Sequence, residues 1–293
     1  MHKIWKILTA CVFITLIAIT IAEAQEKPKS STSARAMVSH IQSTGFEDNE
    51  GETAITTSQL ALRWKFMSLT YKQDAYSWKD VDQLNFGDGQ TDPWKRLHRI
   101  ALGANFKDKI IDDWSWMAGA SLTSSFENEM NDSYGGTLRG GVGYKWSDTL
   151  SFTGGMVIFT NKVRTTAFPF IGMQYKDIRE NDSGWFASLG MPSNEIGYQL
   201  DTASTFRLSF SQQGGFSRLA DNSSVSSRGY VETSSWKTGL YYDWLPEESL
   251  RLSFGPEFHI GRSIKFYDEY GDKFQTEDQN NAMGISAFIK YSF

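Results

Sequence analysis

Strict alternation of apolar and polar residues is the feature that most limits what this chain can fold into. Leu60, Leu62, Trp64 and Phe66 interleave with Ala61, Arg63, Lys65 and Met67. Near the other end, Leu250, Leu252, Phe254, Phe258 and Ile260 interleave with Arg251, Ser253, Glu257 and His259. Successive side chains of a strand point to opposite faces, so a period of two makes one face apolar and the other polar. From residue 58 onward such segments are punctuated by Gly, Asn, Asp and Ser, with six prolines in the whole chain and no helical stripe. The fold class is therefore all-β and antiparallel. No run beyond the first residues approaches the roughly 18 apolar residues of a spanning helix.

A soluble periplasmic β protein would alternate in the same way, with its polar face in water. Three further features favour an up-and-down transmembrane β-barrel of about 12 strands, placed at 58–72, 96–106, 114–126, 133–146, 150–161, 166–175, 183–191, 194–201, 204–213, 229–244, 250–265 and 281–293. The connections at 147–149 and 245–249 are tight, whereas 73–95, 214–228 and 266–280 are long and polar, the asymmetry of outer-membrane barrels. Phe106, Trp114, Trp146, Leu150, Trp244 and Leu250 flank short turns on the apolar parity. They read as an aromatic belt at the periplasmic interface, where an indole buries its ring and keeps its N–H wet. Finally, Met283, Ile285, Ala287, Ile289, Tyr291 and Phe293 share one face of the last segment, like the terminal strand that outer-membrane barrels present to their assembly machinery.

The first residues carry Lys3 and Lys6, then an apolar run from Ile7 to Ile21 and the small-residue site Ala22-Glu23-Ala24. Residues 1–24 thus read as a cleaved signal peptide. Cys11 follows Leu8, Thr9 and Ala10 as in a lipidation box, but too few apolar residues precede it for a lipoprotein signal. Cleavage removes the one cysteine and moves the net charge from −5 to −6, since Lys3, Lys6 and Glu23 leave together. Disulfides, thiolate nucleophiles and cysteine metal sites are then excluded. Residues 25–57, polar and then acidic at Glu47, Asp48, Glu50 and Glu52, show no sustained period. They read as a flexible periplasmic tail ahead of a barrel at 58–293, close enough to the lumen for the acids to enter it.

Several phrases resemble an uncharacterised family of Gram-negative outer-membrane β-barrel proteins, a domain of unknown function. They are Pro93-Trp94 with Leu97-His98 and Ile100, Asp113-Trp114, Pro169-Phe170-Ile171-Gly172, Trp185 with Leu189-Gly190-Met191-Pro192, and Tyr198. The resemblance spans roughly residues 60–293. It implies a barrel in the outer membrane and transfers no catalytic residue.

The sign of the polar face is the most specific functional signal. Arg63, Lys65, Arg99, Arg139, Arg207, Lys237, Arg251 and Lys265, with Lys145 and Lys290 near a rim, fall on that parity against Asp243 and Glu257. An acidic protein with a basic interior keeps its acids in loops and turns. Buried cations without partners are costly, so water, anions or an acidic segment must satisfy them. Because the cations face inward, nucleic acid is not a partner. The expected partners are outer-membrane lipids and lipopolysaccharide, the barrel-assembly machinery and periplasmic chaperones.

Glu257 and His259 share the polar parity, and a carboxylate beside an imidazole can act as a general base pair for a serine such as Ser253 or Ser263. An interior hydrogen-bond network is the favoured reading of the pair, since every barrel with a polar lumen has such groups. Acidic loops around Asp80, Asp82 and Asp88, and from Asp268 to Asp278, lack the spacing of a calcium loop, so no metal or cofactor is implied. The leading reading is a non-enzymatic barrel, either a narrow porin-like pore for small solutes, anionic ones among them, or a structural protein. The alternatives are a membrane-embedded lipid hydrolase and the soluble β protein.

Overall fold

A computed structural model describes residues 32–179 and 182–293, so the expected signal peptide lies outside the described residues. The strands are β1 (Ser33–Gly45), β2 (Glu52–Trp64), β3 (Met67–Lys79), β4 (Arg96–Ile111), β5 (Trp114–Phe126), β6 (Tyr134–Lys145), β7 (Leu150–Thr160) and β8 (Thr165–Ile178). They continue with β9 (Gly184–Gly190), β10 (Ser193–Gln199), β11 (Ser204–Arg218), β12 (Tyr230–Glu247), β13 (Leu250–Tyr267), β14 (Lys273–Gln279) and β15 (Ala282–Ser292). From β1 to β13 each strand pairs antiparallel with the next, β13 pairs with β15, and β15 returns to β1 with Ser292 opposite Ser33. The result is a closed barrel of 14 strands. β14 stands outside that ring, on the upper edge of β13 that β15 leaves free, with Gln279 opposite Arg262.

The count corrects the expected 12, for two physical reasons. First, residues 33–57 are not a tail: they form β1 and the start of β2. Small or polar Ala34, Ala36 and His40 face outward while Met37 and Ile41 line the lumen, so the segment shows no contrast of polarity to read. Second, 58–72 is a hairpin rather than a strand. Lys65 and Phe66 make a two-residue turn, with Lys65 in the left-handed region at φ 55°. Alternation runs into the turn on even positions and leaves it on odd ones, at Met67, Leu69 and Tyr71.

Both described ends of the chain lie at one rim, where β8 also hands over to β9 and short turns run at 65–66, 112–113, 146–149, 200–203 and 248–249. The other rim carries 46–51, 80–95, 127–133, 161–164, 219–229 and 268–272, while the turn at 191–192 stops partway up the wall. Glu47, Asp48 and Glu50 belong to this second rim, and Glu52 starts the strand that descends from it. The expected acidic plug is thereby corrected, because these residues sit a full strand away from the rim where the chain begins.

Above mid-height the wall takes a short cut. β9 and β10 have only seven residues each. The edge of β8 at 165–171 finds no partner in β9, and that of β11 at 213–217 none in β10. β11 instead crosses to β5, where Arg218 pairs with Phe126 and accepts a backbone hydrogen bond from Glu127. Gly215 allows this crossing: a Cβ there would stand 1.9 Å from the guanidinium of Arg99. The narrowed upper ring is filled by Phe46, Tyr76, Trp78, Phe86, Trp94, Leu97, Leu219, Val231, Ile264 and Phe266. Trp94 packs edge-on to Trp78 at 5.0 Å, and Phe86 lies 4.8 Å from Phe266. This aromatic dome roofs the lumen.

Candidate functional site: a basic lumen under an apolar roof

The barrel wall inverts the polarity of a water-soluble fold. Leu62, Leu102, Leu122, Leu138, Ile171, Leu208, Leu240, Phe254, Met283 and Ile285 point outward and are exposed, while Ser39, Asp243, Ser253, Glu257, His259 and Ser286 are buried inside. A continuous exposed apolar band is unstable against water and is matched by hydrocarbon. No helix among the described residues is long and apolar enough to cross a membrane, a statement that does not bear on strands. At the short-turn rim Trp64, Phe106, Trp114, Trp146, Trp185 and Trp244 are exposed on the outer face. Phe66 stacks on Phe106 at 5.0 Å, Trp114 meets Tyr144 at 4.8 Å, and Tyr291 meets Phe293 at 5.1 Å.

Inside, adjacent strands bring charges together in three layers. Toward the short-turn rim β11, β12 and β13 place Arg207 and Arg251 on the fully buried Asp243, with Arg207 Nε 3.1 Å from Oδ2 and Arg251 Nη2 2.5 Å from the same oxygen. Arg207 also lies 3.6 Å from Glu195 and stacks over the Tyr241 ring. Above this, Glu257 accepts hydrogen bonds from Lys237 Nζ at 2.8 Å, Tyr241 OH at 2.5 Å, Ser286 Oγ at 2.7 Å and Ser39 Oγ at 3.1 Å. Higher still, Asp74 is held by Lys72 at 2.8 Å and Thr57 Oγ1 at 2.6 Å. These four inward acids, Asp243, Glu195, Glu257 and Asp74, are each matched by a cation. Arg99, bonded to Ser125 Oγ at 2.9 Å, and Arg139, bonded to Asn105 Oδ1 at 2.6 Å, meet no carboxylate in a salt bridge. Lys107, Lys109, Lys145 and Lys176 line a further recess of about 400 Å³ at the short-turn rim together with Asp112, Asp113 and Asp148, the last 2.5 Å from Lys145.

Two of the expected lumenal cations are elsewhere. Lys65 occupies the β2–β3 turn with its ammonium 5.5 Å from the Trp64 ring. Lys265 faces outward, because β13 carries one extra residue between Ile260 and Ser263. Gly261 takes φ 56° in this bulge, and the inserted residue reverses every later face. Arg262 therefore enters the lumen in its place. Arg63 keeps the inward parity beside the short-turn rim and is exposed there. Parity misread Arg262 for the same reason, and Arg35, 4.2 Å over Phe288, lay in the segment that had no readable period.

The hydrolase constellation is not assembled. His259 is buried with Nε2 3.5 Å from Glu257 Oε2, and neither ring nitrogen has hydrogen-bond geometry to a serine. Ser263, beyond the bulge, bonds Ser234 on the other face at 2.8 Å. The loop acids Asp88 and Asp268 are spent on backbone amides of their own turns, from Gln90 and Thr91 and from Tyr270 and Asp272. Among the described residues no group of acids and histidines is arranged to hold a metal.

No protein-family model matches the sequence. No curated protein matches it either. Among solved structures, an outer membrane channel from Pseudomonas putida F1 is 9% identical, covering 92% of this chain and 98% of its own, with a TM-score of 0.45. The KdgM porin is 11% identical, with 88% and 99% covered and a TM-score of 0.37. OprB of Pseudomonas putida is 10% identical, with 90% and 94% covered and a TM-score of 0.39.

Proposed function

We propose that this protein is a non-enzymatic barrel of the Gram-negative outer membrane that conducts small anionic solutes. The observation that carries the reading is the imbalance of lumenal charge. Asp74, Glu195, Asp243 and Glu257 are each neutralised by a neighbouring cation, while among the described residues Arg99 and Arg139 face the lumen without a salt bridge. A low-dielectric wall strengthens the attraction of such groups for mobile anions. The lysines at the short-turn rim would gather anions at the mouth, and the aromatic dome sets the resistance at the far end.

Purified protein in planar bilayers under a salt gradient tests this. The expected reversal potential has the sign of anion over cation preference, and Arg139→Glu shifts it toward cations. A cation-selective wild-type pore, or a selectivity that Arg139→Glu leaves unmoved, refutes the reading.

A further inference from the structure

Between the aromatic dome and the Glu257 layer lies a cavity of about 260 Å³. Tyr76 and Ile264 of the dome form its roof, and Lys237 and Glu257 belong to its floor. At about 30 Å³ per water it has room for several waters or one small solute. What sets it apart is the state of its donors. Arg262 is 3% exposed; its Nη1 donates to Thr44 Oγ1 and to the Asn280 carbonyl at 3.0 Å, yet its Nη2 has no partner. Gln279 Nε2 is likewise buried and unpartnered; His259, whose Nε2 lies 3.5 Å from Glu257 Oε2, keeps Nδ1 buried without a hydrogen-bond partner, and all three residues line this cavity. Arg99 lines it as well, tethered only through Nε.

The acids within reach answer only His259 Nε2 and leave Arg262 Nη2 and Gln279 Nε2 open. Asp74 is held by Lys72 and Thr57, and the Glu257 oxygens already accept from Lys237, Tyr241, Ser286 and Ser39. The lining thus carries four cations, Lys72, Arg99, Lys237 and Arg262, against two carboxylates, Asp74 and Glu257, each of which already has its own lysine. Burying a cation without a counter-charge is costly, and a guanidinium fork fits an oxyanion through two parallel hydrogen bonds. Waters can accept these bonds but bring no negative charge.

We infer that this cavity is a binding site for one small oxyanion, carboxylate or phosphate, held between Arg99 and Arg262 with Gln279 and His259 as further donors. The inference rests on the anion-conduit reading for its place in the protein's work: the site is the last station before the roof. It differs from conduction in kind, since a surplus of lumenal charge gives selectivity without saturable binding.

Calorimetry on the full-length barrel in detergent at low salt, titrated separately with inorganic phosphate and with succinate, tests it. One saturable site per chain is expected for at least one of the two, and the pair distinguishes phosphate from carboxylate recognition. Arg262→Met and Arg99→Met should each weaken binding at least tenfold, while Lys265→Met, on the outer face of the same strand, binds as wild type. Where a Met variant fails to fold by its heat-modifiable migration, Arg262→Lys replaces it; charge without the fork should still lose several-fold. Absence of saturable binding of both anions in the wild type overturns the proposal, as does wild-type affinity in the Arg262 and Arg99 variants. Anion selectivity in bilayers is recorded on the same samples. Selectivity without binding sinks the site and leaves the conduit; binding without conductance does the reverse.

Discussion

Replacing Glu257 by Gln should destabilise the barrel by about 3 kcal/mol. The change keeps the shape and removes one charge from a carboxylate that is fully buried and accepts from Lys237, Tyr241, Ser286 and Ser39. Taking one partner from a buried ion pair costs about 3–5 kcal/mol, because the remaining charge is left uncompensated. Lys237 is 17% exposed and can turn part of its ammonium to lumenal water, which places the estimate at the lower end of that range. Hydrogen bonds to a charged acceptor contribute roughly 1.5–3 kcal/mol, but the hydroxyls can rotate to the amide oxygen and lose only a fraction. Urea unfolding of protein reconstituted in vesicles, followed by tryptophan fluorescence, reads the difference. The double-mutant cycle with Lys237→Met isolates the pair, and a coupling of at least ~1.5 kcal/mol is expected. A loss below ~1 kcal/mol in Glu257→Gln, or strict additivity with Lys237→Met, would refute the claim that this layer is held by charge.

Leu240→Arg places a cation on the exposed outer face near mid-strand and should cost about 2–4 kcal/mol by the same unfolding assay; tolerance there would mean that this face does not meet hydrocarbon. Trp94→Ala removes a side chain only 1% exposed from the dome, so a loss of about 3–5 kcal/mol is expected together with higher single-channel conductance. An unchanged conductance would show that the dome is not the barrier. Glu127, in the loop beyond β5, has its carboxyl pushed up by burial and by Glu129, against the pull of the Ala220 N–H. A raised folded-state value means the native state binds the extra proton, so the seam between β5 and β11 gains stability on acidification and loses it as pH rises through that value. Glu127→Gln should flatten this dependence in amide exchange at Leu219, and an equally steep profile in the variant would assign the effect elsewhere.

Parity is a local code, and it was readable wherever a strand is regular and its two faces differ in polarity. The faces of Arg207, Lys237 and Arg251 inside, and of Phe106, Trp114 and Trp244 outside, follow from counting by two along β11, β12, β13, β4 and β5. The code breaks wherever one residue is gained or a turn is hidden. Gly261 moves Lys265 out and Arg262 in, and the turn at Lys65 and Phe66 carries no Gly, Asn or Asp to announce it. β1 escaped because Ala against Met and Ile is no contrast. The dome was invisible for another reason: Phe86, Trp94 and Leu219 come from connections that read as long polar loops and Phe46 from the segment that read as a tail, and only the folded barrel gathers them.

The incomplete wall between β8 and β11 has a mechanical consequence. A barrel is a stack of hydrogen-bonded hoops, and a hoop resists widening only if every rung around it is present. Below the β9–β10 hairpin every circuit closes through 14 strands. Above it the circuit is cut at 165–171 and 213–217, so thermal breathing concentrates on that seam while the lower hoops stay rigid. Pro169 stands in the free edge and has no N–H to offer an incoming strand, which keeps the seam from being sealed by another chain. The protein therefore combines a stiff collar at the short-turn rim with a compliant flank beneath the long loops.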